Sequence, residues 1–266
     1  NRPANGYGSE NINYALTAWL GRQTNLESLK NYWQPGLEGI RHYSFNYTYF
    51  DNPYFILYEN TNAFQRSRLL GNLTATYTLD NGLSITLRSG MDHSNESRAF
   101  RRAFSTNRFP QGAYAEGKVF FQEINSDILV NYERNFGDFS LRLSAGGSRM
   151  DQQSAQNEVQ ASALAQPGVF QLSNTAVPLE IMEYESRKRI NSVYSWARIA
   201  YRSRLFLEIT GRNDWSSALA APTSKNNTSF FYPSASLSYL LSRAIALPPV
   251  ISFAKLRVSW AQVGND

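Results

Sequence analysis

The chain of 266 residues carries 26 Lys and Arg against 21 Asp and Glu, a formal net charge of +5, and contains no cysteine. That excludes disulfides and thiolate metal sites, and no apolar run approaches the ~20 residues of a membrane-spanning helix. Cations cluster only at Arg101-Arg102 and Arg187-Lys188-Arg189, without the motif or basic helix that a nucleic-acid reader needs.

Residues 1–62 mix Asn, Gly, Pro and Tyr, as in Pro3–Gly8 and Tyr32–Gly36, and read as an ordered loop or insertion region. Asn25 caps one expected helical turn over Leu26–Trp33. From residue 63 to 266 the pattern changes to strands. In Asn72–Leu79 the odd positions Leu73, Ala75, Tyr77 and Leu79 are apolar and the even ones are Asn or Thr. After Asp80-Asn81-Gly82 the alternation resumes, with Leu83, Ile85, Leu87 and Met91 apolar and Ser84, Thr86, Arg88 and Asp92 polar. A period of two gives a strand two unlike faces, and Asn-Gly is a tight-hairpin turn signal in which both residues are expected at φ > 0. A loop is expected over His93–Gly117, then strands over Val119–Arg134 and Phe139–Ala145 around the turn Asn135–Asp138. A second loop is expected over Ser148–Tyr184. A third pair, Arg189–Tyr201 and Leu205–Asp214, turns at Arg202–Arg204. A third loop spans Trp215–Ser229, and a last pair, Phe230–Leu240 and Ile251–Ala261, is joined through Pro248-Pro249.

About eight strands alternate short joins with long loops, and their expected length of roughly 10–15 residues exceeds the usual 5–6. Short turns on one side and long loops on the other characterise outer-membrane barrels, and closure is what lets strands satisfy their backbone in lipid. The expected fold class is therefore all-β, an antiparallel up-and-down transmembrane β-barrel segment. Its apolar face meets lipid, its polar face a lumen, and Asn81-Gly82 lies at the periplasmic rim. Lacking an initiator Met and ending at Gly264-Asn265-Asp266, the chain reads as an internal piece of a longer polypeptide.

Several segments resemble the SusC/RagA-type TonB-dependent outer-membrane transporters of Bacteroidetes. They are Tyr32-Trp-Gln-Pro-Gly-Leu-Glu-Gly39, Asp51-Asn-Pro-Tyr-Phe55, Arg68-Leu-Leu-Gly-Asn72 and Asn191-Ser-Val-Tyr194. Thr210-Gly-Arg-Asn-Asp-Trp-Ser-Ser217, Phe231-Tyr-Pro-Ser-Ala235 and Lys255-Leu-Arg-Val-Ser-Trp260 with Val263-Gly-Asn-Asp266 continue the set in order. The resemblance implies part of a plugged barrel of about 22 strands in the outer membrane of a Gram-negative bacterium. It implies a nutrient importer for oligosaccharides or peptides that pairs with a SusD-type surface lipoprotein and is energised through the TonB complex. The plug, the TonB box and the closing strands are not found in this sequence.

No nucleophile elbow, zinc-protease or P-loop motif is present, so no enzymatic activity, cofactor or metal is expected. His42 and His93 are read as exposed loop residues. The N-x-S/T sequences at Asn46, Asn72, Asn95, Asn226 and Asn227 are read as chance in an Asn- and Thr-rich chain. Arg212, Asp214 and Trp215, where a strand enters a loop, could stack on and hydrogen-bond a sugar. Their structural alternative is an interfacial Trp beside an Arg–Asp pair. Arg101, Arg102, Arg108 and Tyr114, in the first expected loop, could contact substrate or the lipoprotein. Two other functions fit the residues alone: a passive porin segment, or a soluble extracellular carbohydrate-binding β domain.

Overall fold

The hairpin around Gly82 shows how this sequence turns. Leu79 and Leu83 pair through Leu79 N to Leu83 O at 2.8 Å, and Gly82 N donates back to Leu79 O at 3.3 Å. Gly82 adopts φ +85°, whereas Asn81 is not among the positive-φ residues. The turn is thus a three-residue type I turn closed by a left-handed glycine, and not the two-residue turn with both φ positive that Asn-Gly suggests. Asn81 contributes its side chain instead, accepting from Leu83 N at 3.2 Å. The turn with two consecutive positive φ values is Arg202 (49°) and Ser203 (51°).

The chain is seen in a computed structural model that describes residues 11–45, 49–220, 228–245, 248 and 250–264. Pro3–Gly8, the sequons at Asn46, Asn226 and Asn227, Pro249 and Asn265-Asp266 lie outside the described residues. Eight antiparallel strands form one sheet in sequence order: β1 (Asn62–Thr78), β2 (Leu83–Thr106), β3 (Phe109–Phe136), β4 (Phe139–Ala161), β5 (Glu180–Tyr201), β6 (Leu205–Ser216), β7 (Ser229–Leu240) and β8 (Lys255–Ala261). The architecture is all-β and up-and-down, as a segment of a larger barrel would be.

Two expected loops are corrected. His93–Gly117 is no loop, because β2 and β3 run on through it to the turn at Asn107-Arg108, reaching 24 and 28 residues. Likewise β4 continues to Ala161 and the second loop shortens to 162–179. Both extensions are polar and lack an apolar alternation, so hydrophobic periodicity could not report them. Their ladders are held by backbone hydrogen bonds, which any non-proline residue supplies.

The chain divides into two compact units. Unit 1 comprises residues 1–68, 94–121 and 154–185. Its 3-10 turn Glu27–Lys30 matches the expected helical turn, with Glu27 N bonded to Asn25 Oδ1 at 3.0 Å. Pro53–Tyr58 forms a short helix because Pro53 suits the first turn and Asn52 Oδ1 caps Tyr54 N at 2.9 Å. That helix buries Phe55 completely, ringed by Tyr32, Trp33 and His42. A second cluster packs Tyr114, Ala161 and Leu164 against Phe104, Phe170 and Leu172.

Unit 2 comprises residues 69–93, 122–153 and 186–266. Its register fixes the two faces. Tyr201, Leu205, Tyr239 and Leu256 form one cross-strand row, and Ile199, Leu207, Leu237 and Val258 form the next. A third row is Ala197, Ile209, Ala235 and Trp260. Between them, on the opposite face, runs the row Arg198, Glu208, Ser236 and Ser259. The apolar face is uncovered: Ile209 and Leu237, on interior strands, remain 49% and 47% exposed. An extended apolar surface of this kind marks a face that meets something other than water.

Candidate functional site

The polar face of unit 2 is built from side chains that answer one another across strands. Arg88 on β2 grips Asp127 on β3 bidentately, with Nε 3.0 Å from both carboxylate oxygens and a terminal nitrogen 2.8 Å from Oδ2. Tyr194 on β5 donates to the same Oδ2 at 3.4 Å. Its ring crosses β4 at Gly146, where an added Cβ would lie 2.8 Å from Tyr194 Cζ and 2.4 Å from Ile128 O. Glycine is required there by close approach. Further along, Glu133 and Arg142 pair at 2.7 Å, and Ser144 Oγ donates to Asn131.

On β5–β8 the same face carries Glu208 between Arg198 at 3.4 Å and Arg257 at 3.6 Å, with Arg198 lying over the Phe206 ring. Thr210 meets Ser234 at 2.5 Å, and Ser236 meets Ser259 at 3.2 Å. A cavity of about 560 Å³ opens on this face, lined by Asp127, Tyr194, Trp196, Thr210 and Arg212 among others. Hydroxyls, amides, aromatic rings and satisfied ion pairs can hydrogen-bond and stack on a polar solute. Among the described residues no cluster of acidic and histidine side chains suits a metal ion.

The candidate residues are distributed over both units. Arg212 Nε donates to Asp214 Oδ1 at 2.7 Å, and a terminal nitrogen reaches Ser192 Oγ at 3.1 Å. Trp215, one position on, alternates to the other face, paired with Asn191 and 43% exposed. The structure therefore brings Arg212 and Asp214 together and separates Trp215 from them.

In unit 1, Arg102 is buried, with its guanidinium 3.6 Å from the Phe100 ring centroid and donating to Asn62 Oδ1 and Arg101 O. Arg101 is exposed, 5.6 Å from the Phe170 ring. Arg108 is exposed at the β2–β3 turn. Tyr114 is buried and donates to Glu116 at 2.7 Å; burial, then Glu116, raises its phenol above the ordinary range. It borders a cavity of about 600 Å³ shared with Arg98, Glu116, Lys118 and Phe64. None of the four sits in a long loop: Arg101 and Arg102 belong to β2, Tyr114 to β3, and Arg108 to the two-residue turn between them.

The two histidines are corrected as well. His93 is a half-buried residue of β2. His42 is buried, stacked on Phe55 with ring centroids 3.9 Å apart, Nδ1 2.9 Å from Ser105 Oγ and Nε2 3.3 Å from Asp51. Asp51 in turn accepts from Asn107 N with both oxygens, at 3.0 and 3.2 Å. No local pattern marks this constellation, since Ser105 lies far from His42 along the chain. Serine, histidine and carboxylate do line up, but the imidazole and the carboxylate are enclosed, and Ser105 Oγ also accepts from the His42 backbone N–H at 3.3 Å. The arrangement ties His42 and Asp51 to the β2–β3 turn. Nearby, burial and the hydrogen bond to Glu59 push the Tyr32 phenol up to about 12.

No family model and no curated protein matches the chain. Solved structures do. The chain is similar to part of the RagAB peptide importer in its closed–closed state, with a TM-score of 0.73 and 15% identity over 86% of this chain and 26% of that one. The open–open state gives 0.72 and 15% over 84% and 25%. A further structure of the RagAB peptide transporter gives 0.65 and 14% over the same shares. The chain spans about a quarter of the length of these neighbours, and what they share with it is the fold.

Proposed function

We infer that the chain forms part of the wall of an outer-membrane nutrient importer, with its apolar face in lipid and its polar face lining the passage. The observation that carries this reading is the uncovered apolar face of β5–β8, on a fold shared with a peptide importer. About ten residue steps separate Leu205 from Trp215. At ~3.3 Å per step and the ~40° tilt usual for barrel strands this is roughly 25 Å, the height of the apolar band of such barrels. Tyr201 and Tyr239 at one end and Trp215 at the other supply aromatic residues where girdles occur.

In this reading the solute is an oligosaccharide or a peptide. The partner that delivers it is a SusD-type surface lipoprotein, and TonB-delivered energy drives its passage. The Arg88–Asp127–Tyr194 group and the cavity beside Trp196 would meet the solute on its way. Arg101, Arg108 and Tyr114 in unit 1, with Arg212 and Asp214, are its proposed contacts, and Trp215 is assigned to the interface. No residue is assigned a catalytic role.

Uptake of labelled oligopeptides and oligosaccharides by cells expressing the full-length polypeptide tests this function. Saturable uptake of one class that an uncoupler abolishes is expected. Non-saturable uptake indifferent to the uncoupler would make the chain part of a passive porin instead.

A further inference from the structure

The apolar face of unit 2 ends in charge. Along β5 its positions run from Val193 through Asn191 to Arg189 and Arg187, and along β6 to Trp215, just before the turn that begins at Ser217, with Asn191 opposite Trp215. On β4 the same alternation leads from Leu143 and Ala145 to Arg149 and Asp151. Asp151 ties the neighbouring strands together: it accepts from Arg149 Nε at 2.6 Å and from Arg189 Nε at 2.5 Å. Both arginine side chains are 54% exposed, and a guanidinium has five N–H donors, so each keeps capacity for a second acceptor. Arg189 and Asp151 line a cavity of about 450 Å³ whose wall also includes Gln122, Arg187, Lys188 and Ser217. Asp151 in that wall thus pairs with Arg189 and with Arg149 beside it, and Arg187 and Lys188 add two further cations to the wall.

We propose that this cavity binds the phosphate of a phosphorylated lipid in the outer leaflet, and the proposal rests on the membrane orientation given above. Arginine forks match phosphate oxygens in geometry as well as charge. Asp151 holds two of them at a fixed spacing. A basic pocket directly beyond an apolar surface is the arrangement that selects anionic headgroups. A lipid seated here places its phosphate against Arg187 and Arg189, with Arg149 adjoining through Asp151, while its chains run along Val193, Phe231 and Ile209. Trp215 lies between, its indole suited to the boundary between polar and apolar surroundings. A free anion would use the cations but gain nothing from the apolar surface below them.

The test uses the full-length polypeptide in a non-ionic detergent, with native mass spectrometry against bisphosphorylated lipid A, dephosphorylated lipid A and inorganic phosphate. The wild type is expected to retain the bisphosphorylated lipid at least tenfold better than the dephosphorylated one. The Arg149→Gln, Arg189→Gln pair should lose that preference. The Arg149→Lys, Arg189→Lys pair keeps the charge without the fork and should fall between them, which guards against a folding defect in the glutamine variant. Equal retention of both lipids, or of the phosphorylated lipid by both variant pairs, would overturn the site. So would displacement by millimolar inorganic phosphate, which would identify a free-anion site. Reconstitution into vesicles separates the two levels. A protein that enters bilayers but ignores the phosphate refutes the site alone; one that stays soluble without detergent refutes the membrane orientation as well.

Discussion

At the scale of single residues, two glycines and one carboxylate carry specific requirements. Gly82 combines φ +85° with a virtual Cβ only 2.1 Å from Glu133 O on the next strand. Gly82→Ala must strain the turn and push β3 away, so it should cost about 1–3 kcal/mol, read as a lower urea midpoint. Gly146→Ala, which intrudes on Tyr194, belongs to the same class. Glu96, in the part of β2 that belongs to unit 1, accepts from Arg98 and from Arg66 at 2.7 Å. The Arg98 hydrogen bond, followed by the charges of Arg98 and Arg66, holds its carboxyl below the usual range. A folded-state pKa that is depressed stabilises the fold above the ordinary carboxylate range and loses that contribution as pH falls through the lowered value. Urea midpoints taken from pH 6 to pH 3 should therefore decline in the wild type more steeply than in Glu96→Gln; parallel curves would remove Glu96 from the account. Of these three, only Gly82 was legible as special in the sequence, because close approach and ion pairing involve residues distant along the chain.

Elements were legible wherever one face was apolar. The alternations in Asn72–Leu79, Leu83–Met91, Phe139–Ala145 and Leu205–Ile209 fall within strands of the sheet, except for Leu79, which lies one residue past β1. The polar extensions of β2, β3 and β4 were not legible, because a strand with two wet faces has no period to detect. For the same reason the first expected loop proved to be the longest hairpin in the chain. Its tip is held by long-range contacts, His42 to Ser105 and Asp51 to Asn107. His42→Ala removes a buried ring stacked on Phe55 and leaves polar groups without a partner, at a cost of about 2–4 kcal/mol. Hydrogen exchange should show faster exchange at Asn107, with amides of β5–β8 unchanged. Unchanged exchange at the tip would mean that the turn holds without this tie.

For the whole molecule, the fold class and strand order follow from patterning, since a one-residue slip would invert every face. Which candidate residues share a face was only partly legible: Arg212 and Asp214 are two apart and must agree, and Trp215 must oppose them. The proposed solute follows from neither patterning nor register, which fix the two faces and not tertiary contacts. The orientation of the two faces also sets substitution costs. Leu87→Arg, on the apolar face of the first hairpin, should cost about 2–4 kcal/mol near the bilayer midplane, whereas Thr86→Arg should assemble normally. A folding assay into lipid vesicles compares them.

The central claim, that one face meets lipid and the other water, is tested most directly along β6. These 266 residues contain no cysteine, so single cysteines at successive positions from Leu205 to Arg212 can each carry a nitroxide with no competing thiol in this segment. In bilayers, accessibility to oxygen should peak at Leu205, Leu207 and Ile209, and accessibility to a water-soluble nickel chelate at Phe206, Glu208 and Thr210. Nickel access at every position, with no alternation, would contradict it.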